Sequence, residues 1–380
     1  MKRLISIVLL LLLLTGCSLV PNEYSSSKPH ESMEQVQLPE AVVVTDAKSL
    51  KDAILRYVKA GSTEGSIRAA NYDGNVEEDL VQAVYDVARL DPVGAYAVDY
   101  IGHNCARIVG YYEIRLNIVY RRTARDIASI QMAYSPEQLQ GQVERALMTY
   151  DDHLALQVNE TQEFDIAAIV ERYCLDNPAE MVETPGVQTT IYPESGTERI
   201  VEVNFLYHNT PEELTKQKQA VEESVSAAAE YIRYRSSDRD KTLLLYTYLT
   251  ERFTYKKTPT TAPVYSALCE GTADPLGLSQ GFSMICRKAG VTCYTVKGLL
   301  DGQEHYWNIV SDDGDFRHVD LYSCVTAGSG IRFMTDWEMG RYYWNGQDYP
   351  VCVAAVEEQP AEEVTEIPEE ETLTDQEEPV

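Results

Sequence analysis

Residues 269–320 read CEGTADPLGLSQGFSMICRKAGVTCYTVKGLLDGQEHYWNIVSDDGDFRHVD, and this stretch decides the fold. Asp274 followed by Pro275 is a strong helix start. Aspartate is a preferred N-cap, and proline suits the first helical position because its φ is already fixed and its missing N–H would be unbonded there anyway. Gly290 closes the same segment as a left-handed cap. An extended run, TCYTVKG, follows, and then a second one beginning at His305. Asp312-Asp313-Gly314-Asp315 is a turn signal between two extended segments. A two- or four-residue turn there places His305 and Asp320 on one face of an antiparallel pair as diagonal neighbours. Backbones of such neighbours lie about 7 Å apart, so an imidazole and a carboxylate can meet. An aspartate bonded to a histidine fixes its tautomer.

The helix ending in Ala-Gly-Val, the TCYTVKG strand, the HYWNIV strand and the terminal Val-Asp together resemble the transglutaminase-like superfamily, whose fold is papain-like. The resemblance covers about residues 237–352. It implies an α+β domain in which a buried helix packs on an antiparallel sheet, with a nucleophilic cysteine in the first turn of that helix. Aligning Gly277 and Phe282 with the family pattern puts Pro275 on the nucleophile, His305 on the catalytic histidine and Asp320 on the catalytic aspartate. A thiol at a helix N-terminus is activated by the positive end of the helix dipole. Proline keeps the scaffold and has no nucleophilic atom. The expectation is a pseudoenzyme with a remnant His305–Asp320 dyad.

Three other side chains compete for the missing role. Cys286 lies eleven residues after Pro275, roughly 16 Å along the helix axis, far beyond hydrogen-bond reach. Ser279 is nearer, but a hydroxyl is a poor nucleophile without a strong base. Cys269 lies six residues upstream in a segment that can be extended. It stays open as a substitute thiol, without help from the helix dipole.

The chain begins with Lys2 and Arg3, an apolar run from Leu4 to Leu14, and then Leu14-Thr15-Gly16-Cys17. A basic start, a short apolar run and small residues at the cut describe an export signal. The ending resembles a bacterial lipobox, which implies cleavage after residue 16 and lipid attachment at Cys17. An ordinary secretory signal with a chance cysteine is the alternative. The resulting location is extracytoplasmic, membrane-anchored in the cell envelope. Polar residues 17–40 read as a tether. The end, 356–380, holds eleven acidic residues and no basic one, which describes a disordered acidic tail.

The formal net charge of −28 argues against nucleic acid, whose phosphates require a basic surface. The remaining seven cysteines, an odd number, are irregularly spaced, with no Cys-x-x-Cys and no zinc pattern. No metal or cofactor is expected, and several of these thiols should be small buried hydrophobes.

Residues 41–215 read as a degenerate repeat. SLKDAILRYV, SIRAANY, EEDLVQAVYDVARLDP and EIRLNIVYRRTARDI form one copy. EQLQGQVERAL, HLALQVNE, FDIAAIVERYCLDNP and IVEVNFLYHNTPEEL form the other. Apolar residues recur at helical spacing in the helices, and the strands alternate. Tyr120 and Thr123 correspond to Tyr207 and Thr210. Chance similarity of two α/β stretches is the alternative. His103 and His153 have no counterparts and carry no chemistry.

The expected organisation is therefore α+β throughout: signal 1–16, tether 17–40, small α/β modules at 41–135 and 136–215, a papain-like domain at 216–355, and tail 356–380. The tyrosine pair and the tryptophan at 342–344 should finish the last core with polar tips in water. Two function classes follow. One is a noncatalytic, surface-tethered binding or adaptor protein for protein, peptide or cell-wall material. The other is a cysteine enzyme (transglutaminase, amidase or protease) using a relocated thiol such as Cys269. Oligomeric state is not legible.

Overall fold

The computed structural model describes residues 41–159, 164–257 and 259–353. The signal 1–16, Cys17, the tether and the acidic tail lie outside the described residues. Among those described, no helix is long and apolar enough to cross a membrane. The chain divides into two compact units, one ending at Ala124 and the other beginning at Arg125.

The first unit runs β1 (Val42–Asp46), α1 (Ala47–Lys59), β2 (Glu64–Asp73), α2 (Val76–Tyr85), α3 (Pro92–Ala97), β3 (Val98–Ile108) and β4 (Tyr111–Tyr120). Asp46 starts α1 with a reciprocal capping box to Ser49. One face of the helix buries Leu50, Ala53, Ile54 and Val58. Between α2 and α3 the Val-Ala-Arg-Leu segment is a π-helical turn, and Asp91 then caps α3 with Pro92 in its first turn. The strand order is β1-β2-β4-β3, with β1 parallel to β2 and the other pairs antiparallel.

A short helix, α4 (Ala124–Ala128), leads to β5 (Gln131–Met132), α5 (Pro136–Met148), β6 (His153–Asn159), α6 (Ile166–Asp176), β7 (Gly186–Tyr192) and β8 (Glu198–Leu206). Their order is β5-β6-β8-β7, again with one parallel pair followed by two antiparallel ones. The two sheets therefore share strand order and direction, while the π-helical turn and α3 of the first have no counterpart in the second. Each copy also holds two strands that the apolar pattern had not separated: β1 and β3 in the first, β5 and β7 in the second. Because β5 pairs with β6, the second sheet begins at Gln131, ahead of the boundary expected after residue 135. Tyr120 and Tyr207 differ in use. The Tyr120 hydroxyl donates to the carbonyls of Tyr57 and Ser62 at 3.2 and 2.9 Å, whereas that of Tyr207 is buried without a partner among the described residues.

The C-terminal part continues with α7 (Pro211–Ile232), α8 (Asp238–Thr250), β9 (Thr254–Tyr255), α9 (Pro263–Leu268), β10 (Thr272–Ala273), α10 (Pro275–Lys288), β11 (Cys293–Leu300), β12 (Gln303–Asp312), β13 (Asp315–Val319), α11 (Leu321–Thr326) and β14 (Tyr342–Tyr343). Thr210 and Glu213 form a capping box that starts α7, so this helix crosses the expected boundary at 215/216. Leu214, in its first turn, already belongs to the core around α10.

Helix α10 is the hub. Every residue from Gly277 to Cys286 is buried, including Ser279, Gln280 and Ser283. Phe282, Ile285 and Leu278 pack with Val225 and Ile232 of α7, Leu245 of α8 and Val310 of β12. Its buried polar groups are bonded: Ser283 Oγ donates to the Cys293 carbonyl at 3.1 Å, and Gln280 Nε2 to the Cys174 carbonyl of α6 at 3.3 Å. The sheet order is β13-β12-β11-β14, all antiparallel. A second core of Val296, Trp307, Ile309, Met334, Met339 and Cys352 lies against it. The β12–β13 hairpin turns on two residues, Asp313 and Gly314, both at positive φ (52° and 111°), as a tight twisted hairpin requires.

Candidate functional site

Asp274 caps α10 as its sequence indicates. One carboxylate oxygen accepts from the Gly277 N–H at 2.7 Å, and the other from the Thr260 N–H at 3.0 Å. Pro275 is the first helical residue, and Gly290 lies beyond the helix end at φ 83°. Helix α10 can start here only because residue 277 is glycine. A Cβ at that position would stand 2.3 Å from the Pro263 carbonyl oxygen of α9.

The sheet is tied to this helix by Asn308. Fully buried, it donates through Nδ2 to the carbonyls of Ser279 (2.9 Å) and Tyr294 (3.1 Å). That cross-link fixes where β12 carries His305. The result is a cavity of about 310 Å³ lined by Pro275, His305, Lys257, Glu304 and Tyr322, among others. Pro275 and His305 thus face one space.

His305 is only 6 % exposed, and its Nε2 lies 2.7 Å from Asp320 Oδ2. The two do meet, but not as strand neighbours. The β12–β13 ladder ends at Asn308 opposite Val319, and Asp320 has left the strand to become the N-cap of α11. There its Oδ1 accepts from the Ser323 N–H at 2.9 Å, while Oδ2 accepts from Ser323 Oγ at 2.6 Å and from the Tyr342 hydroxyl at 2.8 Å. Burial pushes the Asp320 carboxyl up, but the bonds from His305 and Ser323 outweigh it and hold it below its ordinary value. A carboxylate accepting four bonds is ionised, so the His305 proton must sit on Nε2. Nδ1 is then left as the atom for other partners, with no hydrogen bond among the described residues.

Sequence reasoning missed the part played by Tyr342, which was expected to leave its polar tip in water. Its hydroxyl instead completes the shell of Asp320, and β14 pairs with β11 to hold it there. The signal was the Arg-Tyr-Tyr-Trp run, but only pairing could say which tyrosine turns inward. Tyr343 remains exposed. Gly298 permits the arrangement, since a Cβ there would stand 2.4 Å from the Tyr343 carbonyl and 2.5 Å from the Trp307 ring.

Behind His305 lies a second chain of polar contacts that the sequence did not reveal. His305 and Trp307 rings stack at 6.3 Å between centroids. Trp307 Nε1 donates to His318 Nδ1 at 3.0 Å, and His318 Nε2 lies 2.8 Å from Asp336 Oδ1. Burial holds the His318 pKa down, against the pull of Asp336. His318, Asp336 and Cys352 bring three metal-ligand atoms within 4.8 Å of one another. They do not fit a cation. An indole can only donate, so His318 Nδ1 is the bare nitrogen and Nε2 carries the proton toward Asp336. A metal at Nε2 would require Trp307 to lose its bond, and burial has pushed the Cys352 thiol up to about 12.

The thiols considered as substitutes lie elsewhere. Cys269 is exposed, and its Sγ is 3.7 Å from Ser224 Oγ, in a cavity lined by Tyr248, Arg252 and Phe253 rather than by His305. Burial raises its pKa, against the Ser224 contact. Cys286 is fully buried, and burial puts its pKa well above the ordinary value. Ser279 is buried too, and its carbonyl is engaged by Asn308. In the modules, His103 is exposed, and His153 Nε2 lies 3.0 Å from Glu202.

Residues 212–321 match the profile of the Transglutaminase-like superfamily. No curated protein matches the chain. Among solved structures, a TGase is 12 % identical, with 54 % of this chain and 60 % of that one covered at a TM-score of 0.25. The chain thus spans less than two thirds of that protein's length. A candidate protease from Parabacteroides distasonis is 10 % identical over 56 % of this chain and 47 % of its own, with a TM-score of 0.24. A candidate cysteine protease from Cytophaga hutchinsonii is 10 % identical over 43 % and 68 %, with a TM-score of 0.25.

Proposed function

We propose that the transglutaminase-like domain, matched at residues 212–321, binds its ligand without reacting with it, in an extracytoplasmic protein held to the envelope membrane by a lipid on Cys17. The partner class is protein, peptide or cell-wall material. One observation carries the noncatalytic reading. Pro275 opens α10 and lines the same cavity as His305, so the side chain facing the histidine has no atom able to attack a carbonyl. The dyad keeps its geometry for a structural reason. Asp320 caps α11 and satisfies Ser323 and Tyr342 as well as His305, so losing the reaction does not release it.

The reading is tested by incubating the protein with peptide and amine substrates. We expect no acyl transfer or hydrolysis that depends on His305. Activity abolished both by His305→Ala and by Cys269→Ser would overturn it in favour of a relocated thiol. Anchoring is tested separately. Cys17→Ala should release the protein from the membrane fraction or leave the signal uncut, and normal processing with unchanged retention would refute the lipid anchor.

A further inference from the structure

Next to the His305 cavity lies a larger one of about 560 Å³, and the two share Leu300, Ser323 and Thr326. Its wall carries Arg332, Trp337 and Arg341. The arginines differ in what they already hold. Arg341 is clamped by Asp301, with Nε at 3.0 Å from Oδ1 and a second bond to Oδ2. Arg332 has no side-chain hydrogen bond or ion pair among the described residues, in a chain of net charge −28 where carboxylates outnumber cations nearly two to one.

Neither acidic group in the cavity is hydrogen-bonded or ion-paired to that guanidinium, although its charge, after the Thr335 bonds, helps hold the Glu338 carboxyl below its ordinary value. Asp320 is saturated by its four donors. Glu338 turns Oε2 back to Thr335, accepting from its N–H at 2.8 Å and its hydroxyl at 3.0 Å. Trp337 is 91 % exposed and makes no ring contact among the described residues, while Trp307 and Trp344 pack against each other. An open planar fork matches a carboxylate, and a free indole face covers an apolar side chain beside it. The volume is in the range of ordinary ligand sites.

We propose that this cavity is a subsite for the C-terminal end of a peptide. Arg332 takes the terminal carboxylate, and Trp337 covers the last side chain. The peptide's preceding residues run toward His305. The assignment rests on the noncatalytic binding reading above and names its ligand class. A terminal carboxylate can come from a protein end or from a cell-wall stem peptide ending in a D-residue, and the test separates the two.

The experiment uses the mature full chain labelled with ¹⁵N at its three tryptophan indoles, with the Trp337 signal assigned from Trp337→Phe. The probes are N-acetylated tripeptides ending in L-Ala-L-Ala or D-Ala-D-Ala, each as free acid and as carboxamide. At least one acid should shift the Trp337 signal, with its carboxamide about tenfold weaker or more, consistent with a lost charge-assisted pair. Arg332→Gln should erase that acid–amide difference. The tighter of the two acids identifies the source. Equal binding of acid and amide, no binding of any probe, or a shift of the Trp307 signal, whose ring stacks on His305, without a shift at Trp337 would overturn the subsite. Cleaved probe in the same samples, seen by mass spectrometry, would refute the noncatalytic reading while a Trp337 shift still supported the subsite.

Discussion

Replacing Pro275 by cysteine should create a thiol that is more acidic and more reactive than any the protein now has. The substitution is structurally mild. Residue 275 is the first of α10, Asp274 continues to cap the helix through Gly277, and the position is only partly buried. We expect a stability change of about 1 kcal/mol or less, since the first helical position tolerates most residues. A helix N-terminus favours an anion by roughly 0.3–1 kcal/mol, rising to about 2 in partly buried sites, which corresponds to about 0.2–1.5 pKa units. The bare Nδ1 of His305, lining the same cavity, adds to this as an acceptor for the thiol proton. Asp274 opposes it, although its charge is already bonded to two backbone N–H groups. Together these put the new thiol near pH 7 to 7.5, against about 8.5 for a free one, so roughly tenfold more thiolate at neutral pH. The present partly accessible thiols, Cys105 and Cys269, go the other way, because burial raises both. The assay is alkylation rate against pH, followed by mass spectrometry on the peptide containing residue 275. His305→Ala in the same background should move the midpoint back up. A midpoint near 8.5 that ignores His305 would show that position 275 does not face the histidine.

Two further perturbations probe the scaffold around the dyad. The folded pKa of Asp320 is depressed, so its contribution to stability is complete above the unfolded value of 3.8 and is lost as pH falls through the folded one. Asp320→Asn should therefore cost about 2 kcal/mol at pH 7 and flatten the acid limb of the stability curve, measured by urea unfolding from pH 7 to pH 3; parallel curves for the two proteins would contradict this. Gly277→Ala drives a Cβ to 2.3 Å from the Pro263 carbonyl and should destabilise by about 1–3 kcal/mol. Gly141→Ala on α5 meets nothing within 4 Å and should stabilise by up to about 1 kcal/mol. Thermal melts that failed to separate these two glycines would refute the close approach of α9 and α10.

Much of this was written locally. Asp274-Pro275 and Gly290 mark the two ends of α10 because caps are short-range events, settled by a few neighbouring residues. The β12–β13 turn is equally local, since Asp313 and Gly314 tolerate positive φ. Strands β2, β4, β6 and β8 were legible by their apolar alternation, whereas β1, β3, β5 and β7 were not. β5 is only two residues long and β3 is largely exposed, so neither carries a strong apolar pattern.

Partners contributed from a distance were the hardest to read. Tyr342 reaches Asp320 across 22 residues, and Asn308 reaches the Ser279 carbonyl across 29. Nothing in either neighbourhood specifies the other. The sequence by itself determined the helix start at Asp274, the proline in the first turn of that helix, and the hairpin that returns the chain from His305 toward Asp320. Only the tertiary structure decided that Asp320 meets the histidine as a helix cap rather than from a strand. It also decided that Tyr342 completes its shell, and that Cys269 lies with Ser224 instead of His305. The physical reason is range. Caps and turns are fixed by the dihedral and hydrogen-bond preferences of adjacent residues, whereas a buried carboxylate takes whatever donors the packing of distant elements brings to it.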